Sequence, residues 1–220
     1  QQQKIARFPF PPHDRIPNFK SAQQAARRLL DHKLVRDATN IKVNPDSPQR
    51  YVREGALQQG ITVYMPTPRL RSGFKKFDPD KIPEGNHSDA ASLSKADKFA
   101  VEVSLEDLPQ MDVIVSGSVA VTRSGKRCGK GHGYSDLEYA ILRELGHPEV
   151  PVFTSVHELQ IVQDFPRDQY DIPLSYIFTP EDTIKVEMPH PAPEGIDWNG
   201  LPEDALQKMP VLKELRKMQP

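Results

Sequence analysis

The stretch Gly125-Lys126-Arg127-Cys128-Gly129-Lys130-Gly131-His132-Gly133-Tyr134-Ser135-Asp136 restricts what this chain can fold into more than any other. It follows an apolar run, Val113-Ile114-Val115, and precedes Leu137 to Leu145, whose apolar spacing predicts a helix. Strand, glycine-rich basic loop and helix, in that order, form an anion cradle. Gly129, Gly131 and Gly133 let the backbone approach an anion closely because no side chain intervenes. Their N–H groups, the positive end of the helix and the cations Arg127 and Lys130 all favour negative charge there. Asp136 falls in the first helical turn, and two readings are open for it. It either complements the helix dipole, worth about 0.3–1 kcal/mol, or holds a magnesium ion that bridges to phosphates. Glycines at this spacing also make ordinary turns, so the motif by itself leaves phosphate binding open.

The remaining pattern supplies a sheet. Ile41 and Val43 predict a strand, and Asn44-Pro45-Asp46-Ser47-Pro48 breaks it. Ser47 is an expected N-cap, with Pro48 at the first position of a helix that runs to about Gln59 and stops at Gly60. Ile61 to Met65 predicts a second buried strand, and a strand–helix–strand unit closes right-handed onto a parallel sheet. Val150 to Val156 and Tyr176-Ile177-Phe178 predict two more strands. Ser21 is an expected N-cap for a helix over Ala22 to His32. The whole, 1–220, reads as one domain. An extended arm covers 1–20, and a proline-rich extension over 187–220 carries a short helix over 202–209 or 211–217. In an open α/β sheet of this kind, ligands lie outside the carboxyl ends of the strands. Four segments are expected there: Asp46, the 125–136 loop, Ser155 to Gln160, and Asp171.

Bulk properties remove several classes of function. A net charge of -1 gives no global field for non-specific nucleic-acid binding. Locally, Arg69, Arg71, Lys75 and Lys76 are interleaved with Phe74 and Phe77. That pattern suits either single-stranded nucleic acid or a solvated loop beside the site, and the latter is favoured. The single cysteine makes no internal disulfide and points to a reducing, cytoplasmic setting. No apolar run is long enough to span a bilayer, so no membrane partner is expected. The chain begins with Gln rather than Met, which predicts a longer translation product. No Cys or His cluster has zinc spacing. Cys128 has no obvious base beside it, which argues against a nucleophile.

The longer string around the glycines resembles the signature of the 5-formyltetrahydrofolate cyclo-ligase family, G-x-R-L-G-x-G-x-G-Y-Y-D. Gly125, Arg127, Gly129, Gly131, Gly133, Tyr134 and Asp136 match, while Cys128 and Ser135 replace a Leu and a Tyr. His13 to Lys20, Pro66 to Arg71 and Gly117 to Val121 extend the likeness to the family's methenyltetrahydrofolate synthetase domain-containing branch. The resemblance implies a three-layer α/β/α fold with a mostly parallel sheet, of the NagB/RpiA/CoA-transferase type. It implies an ATP- and Mg2+-dependent ligase acting on a small-molecule folate. ATP phosphorylates the formyl oxygen of 5-formyltetrahydrofolate, the N10 nitrogen attacks, and 5,10-methenyltetrahydrofolate, ADP and phosphate result. Carried over by position, Arg127, Cys128, Gly129, Lys130, Gly131, His132, Gly133, Tyr134 and Ser135 bind ATP. Lys130 and Tyr134 are also the catalytic pair and, with Asp46, face the substrate. Asp136 and Asp171 hold magnesium. By the residues alone Asp171 reads as an ordinary turn residue before Pro173, a reading that the family match reverses, and for Asp46 the alternative is that it only shapes the Asn44–Pro48 turn. The family's N-terminal Lys-x-x-x-Arg helix has no counterpart, since Lys4 and Arg7 are wrongly spaced; Arg69 or Arg71 are the alternative cations. A second reading is therefore carried alongside: a weakened relative that binds nucleotide, a folate-like ligand or RNA.

Overall fold

The computed structural model describes residues 4–219. Its centre is one sheet in the spatial order 183–185, 176–178, 152–155, 113–115, 40–43, 62–66, 74–77, 100–103. The five strands from Tyr176–Phe178 to Thr62–Pro66 are mutually parallel. Thr183–Lys185, Phe74–Phe77 and Ala100–Val103 add antiparallel edges.

Alternation explains the layers. Val113 and Val115 enter one apolar cluster and Ile114 enters the other. A strand whose successive side chains are all buried needs cover on both faces. One face is covered by helices Ala22–Asp31 and Arg50–Gln58, which present Ala26, Leu29, Val52 and Ala56. The other is covered by helices Tyr134–Glu144 and Pro210–Met218, which present Tyr139, Leu142, Leu212 and Leu215. The buried positions Ala22, Ala25, Ala26, Leu29 and Leu30 follow the helical period, as the apolar spacing requires. The result is the expected three-layer α/β/α arrangement. Among the described residues no helix is long and apolar enough to cross a membrane.

Several local expectations need correction. Ser21 has φ 68 and its side chain caps nothing; helix Ala22–Asp31 starts without a side-chain cap. Ser47-Pro48-Gln49 form a 3-10 turn, and the α-helix begins at Arg50. The glycine loop is not fed directly by Val113–Val115, because a small hairpin, Ala120–Thr122 with Arg127–Cys128, intervenes. Phe74–Phe77 is a strand rather than a solvated loop. Phe74 packs into one core cluster and Phe77 into the other, and Lys75 pairs with Asp97. The interleaved aromatics are therefore unavailable for stacking on bases. Of the C-terminal alternatives both form, as Ala205–Lys208 and Pro210–Met218.

The hairpin turn is fixed by Gly125, at φ +92. A Cβ there would meet the Leu174 carbonyl oxygen at 2.9 Å, and the Leu174 N–H donates back to the Gly125 oxygen at 2.9 Å. Gly125→Ala combines a left-handed penalty of about 1–2 kcal/mol with overpacking against backbone that cannot swing away. Urea unfolding is expected to show a loss of about 2–4 kcal/mol. Gly131→Ala is the contrast: φ is +87, but nothing lies within 4 Å, so the loss is expected to stay near 1–2 kcal/mol.

Candidate active site at the sheet's switch point

Strands 40–43 and 113–115 are neighbours, yet their chains leave in opposite directions along the sheet. This is a topological switch point, where the two exits part and leave a crevice. A cleft of about 860 Å³ opens there. Its walls include Asp46, all of 127–136, Arg69, Arg71 and Asp171. Three of the four segments expected at this edge are brought together. Ser155 to Gln160 is not: Ser155 accepts from Gln49 Nε2 at 3.1 Å, and His157 caps its own turn through Leu159 N–H at 3.1 Å. Gln160 braces the hairpin through Ser118 and Val119 carbonyls.

The Asn44–Asp46 turn is held from below. Arg53 is buried, and its Nη1 donates to the carbonyls of Asn44 at 2.7 Å and Asp46 at 3.0 Å. Burial pushes its pKa down to about 10, against the charge of Asp46. Gly117 faces this turn; a Cβ would meet Gln49 Oε1 at 2.7 Å and Asp46 Oδ2 at 2.9 Å. A side chain there would force the ends of Gln49 and Asp46 to move aside, and with them the carboxylate that meets Lys130. Asp46 in turn accepts from Lys130 Nζ at 3.2 Å, joining the loop to the strand end.

The glycine loop takes positive φ at Gly131 and Gly133, +87 and +69, and leads straight into helix Tyr134–Glu144. Gly133 occupies the N-cap without a side-chain cap, so the first helical N–H groups stay open to a ligand. Tyr134 stacks on His132 with centroids 6.1 Å apart. Cys128 is exposed in the same loop. Arg127 lies in the wall, but its Nε and Nη2 donate to the Gly117 carbonyl at 3.0 and 2.7 Å. Its Nη1 stands 3.9 Å from Asp136.

Asp136 and Asp171 arrive from distant segments and meet in the cleft. Asp136 Oδ1 accepts from Ile172 N–H at 2.9 Å, and Asp171 Oδ2 accepts from Asp168 N–H at 2.8 Å. Burial raises the Asp136 pKa, Arg127 and the Ile172 N–H oppose the rise, and the charge of Asp171 adds to it. A buried carboxylate with a second acid nearby suits a cation between them. Mg2+ usually takes one or two carboxylates and completes its shell with water and phosphate oxygens. Among the described residues no three His, Cys, Asp or Glu side chains cluster as a fuller metal cage. The pair beside a glycine loop therefore fits magnesium brought with a nucleotide.

Residues that the sequence did not single out lie just beneath. Lys42, fully buried, donates to Glu138 and to Asn44 Oδ1, the latter at 3.4 Å. Asn44 Nδ2 donates to Ser135 Oγ at 3.1 Å. Only a lysine in the middle of an apolar strand could have signalled this network.

The fold and the family agree. The NMR structure of Aquifex aeolicus 5,10-methenyltetrahydrofolate synthetase covers 82% of this chain and 88% of its own, with a TM-score of 0.51 at 14% identity, which supports the fold. Two proteins named methenyltetrahydrofolate synthase domain-containing protein are similar throughout. The one from Mus musculus is 43% identical over 97% of this chain, and that from Danio rerio 39% over 98%. The chain spans 59% and 58% of their lengths. Residues 4–180 match the family model itself, and the chain belongs to the 5-formyltetrahydrofolate cyclo-ligase family.

Proposed function

We propose that this domain is an ATP- and Mg2+-dependent cyclo-ligase that converts 5-formyltetrahydrofolate to 5,10-methenyltetrahydrofolate, releasing ADP and phosphate. The observation that carries the reading is the convergence of the 127–135 loop, Asp46 and the Asp136–Asp171 pair on one cleft. Its volume is in the range of small-molecule sites. The loop and the open helix N-terminus would hold the triphosphate. Asp136 and Asp171 would hold Mg2+, which when bound neutralises charge on the phosphates. Lys130, set against Asp46, and Tyr134, set against His132, would position the folate. Arg69 and Arg71 are exposed on the same cleft and would supply positive charge to the phosphates. The chemistry asked of the protein is positioning and charge neutralisation, with no protein nucleophile.

The test is direct: 5-formyltetrahydrofolate, ATP and Mg2+ are mixed with the protein, and the methenyl absorbance is followed. Turnover that requires all three is the expected result. A second reading, a binding module without turnover, draws on the internal engagement of both loop cations, Arg127 on Gly117 and Lys130 on Asp46. Retained Mg-nucleotide binding with no product from the full-length protein would favour it. Salt-sensitive RNA binding lost on changing Arg69 and Arg71 would favour an RNA-binding form of it.

A further inference from the structure

A chain of hydrogen bonds beneath the cleft fixes the direction in which one hydroxyl can donate. It starts at Lys42, whose side chain is fully buried in the middle of strand 40–43. An ammonium group has only donors. The Asn44 atom it faces must therefore be the amide oxygen, and Oδ1 lies 3.4 Å from Nζ. The other end of the same amide is then NH2, which can only donate. It donates to Ser135 Oγ at 3.1 Å. Asn44 is itself 4% exposed, so the amide sits away from competing water. Ser135 Oγ makes no other hydrogen bond among the described residues. With its oxygen already accepting from Asn44, its proton is directed elsewhere, and Ser135 lies in the cleft wall in the first turn of helix Tyr134–Glu144.

We infer that Lys42 and Asn44 are positioning residues that set the polarity of the Ser135 hydroxyl, so that this loop residue acts as a hydrogen-bond donor to an anionic oxygen of the nucleotide rather than as an acceptor. The inference rests on the reading of this cleft as a nucleotide site. With the amide turned the other way, Asn44 Oδ1 would face Ser135 and take its proton. Here the buried ammonium, two hydrogen bonds away, withholds the only alternative arrangement of the amide. The anion then gains an O–H donor beside the backbone N–H groups at the same helix end.

The experiment measures binding of Mg-AMPPNP, a non-hydrolysable nucleotide, by calorimetry on the full chain, with thermal melts to confirm folding. Losing one hydrogen bond to a charged acceptor is expected to weaken binding about tenfold or more in Ser135→Ala. Ser135→Thr keeps the hydroxyl and is expected to stay within about threefold of wild type. Asn44→Asp is the decisive variant. An aspartate still pairs with Lys42, but its second oxygen can only accept, so it captures the Ser135 proton. It is expected to weaken binding by at least as much as Ser135→Ala. In the Ser135→Ala background the same change should cost much less, because only its added charge remains. Ser135→Ala binding within about twofold of wild type, or an Asn44→Asp penalty equal in both backgrounds, would overturn the inference. Wild-type protein that binds no Mg-nucleotide at all would instead overturn the nucleotide reading, and this inference with it.

Discussion

Asp136→Asn is expected to leave the fold intact and to cut formation of the methenyl product by on the order of 10²–10³-fold. The amide keeps the shape of the carboxylate and still accepts from the Ile172 N–H. What it loses is the charge that would hold magnesium. The effect should appear as a raised Mg2+ requirement as well as a lower kcat. The pH dependence follows from the raised pKa of Asp136, caused first by burial and increased by Asp171. Metal binding needs the ionised form, so activity should fall on acidification at a higher pH than for an ordinary aspartate. Asp171→Asn removes one raising influence, so the acid limb of its residual activity should shift to lower pH. Stability moves the other way. A carboxyl whose folded pKa is raised holds its proton more tightly in the folded state, so the metal-free protein gains from Asp136 as pH falls through that pKa. Asp136→Asn lacks this gain, and melts followed from neutral pH down toward the ordinary aspartate pKa of about 3.9 should show a flatter profile than wild type. Full turnover by Asp136→Asn would remove the acid from the metal site.

How much of this could be read beforehand depends on where the information lies along the chain. Val113–Val115 and Tyr176–Phe178 are short apolar, largely β-branched or aromatic runs, and both form strands where the pattern places them. The start of helix Tyr134–Glu144 was harder, because its N-cap is Gly133 and no Ser, Thr or Asp marks the boundary. Phe74-Lys75-Lys76-Phe77 defeats a period-two reading. Its aromatic residues lie three apart and so bury on opposite faces of the sheet, which resembles neither an amphipathic strand nor a helix. The loop, Asp46 and Asp171 could be placed at one edge from the strand order and the family signature. The network below could not. Arg53 and Lys42 look like surface cations in sequence. Their partners are backbone carbonyls in the Asn44–Asp46 turn and at Ala91, and a glutamate on the helix across the sheet face. Sequence patterns report the period of one element and carry little about which polar groups two elements will share.

That hidden layer gives the largest expected stability effect. Lys42→Met is expected to destabilise the protein by about 3–5 kcal/mol near neutral pH, because it strands the buried carboxylate of Glu138 without its ion-pair partner. Lys42→Met combined with Glu138→Leu should recover most of that loss, since replacing a buried pair by apolar groups of similar volume is often neutral or stabilising. The pH profile separates electrostatics from packing. Burial already raises the Glu138 pKa, and Lys42 is the chief influence holding it down. Removing Lys42 raises it further. A raised folded pKa means that stability returns as the pH drops and the carboxyl takes up its proton, so the Lys42→Met deficit should shrink on acidification. The double variant should show no such recovery. Urea unfolding of both across pH is the measurement. A Lys42→Met deficit that is small, or that stays constant with pH, would mean that the ammonium acts by volume alone. A double variant as stable as wild type that nevertheless binds nucleotide more weakly would place the value of this pair in the cleft above it rather than in the core.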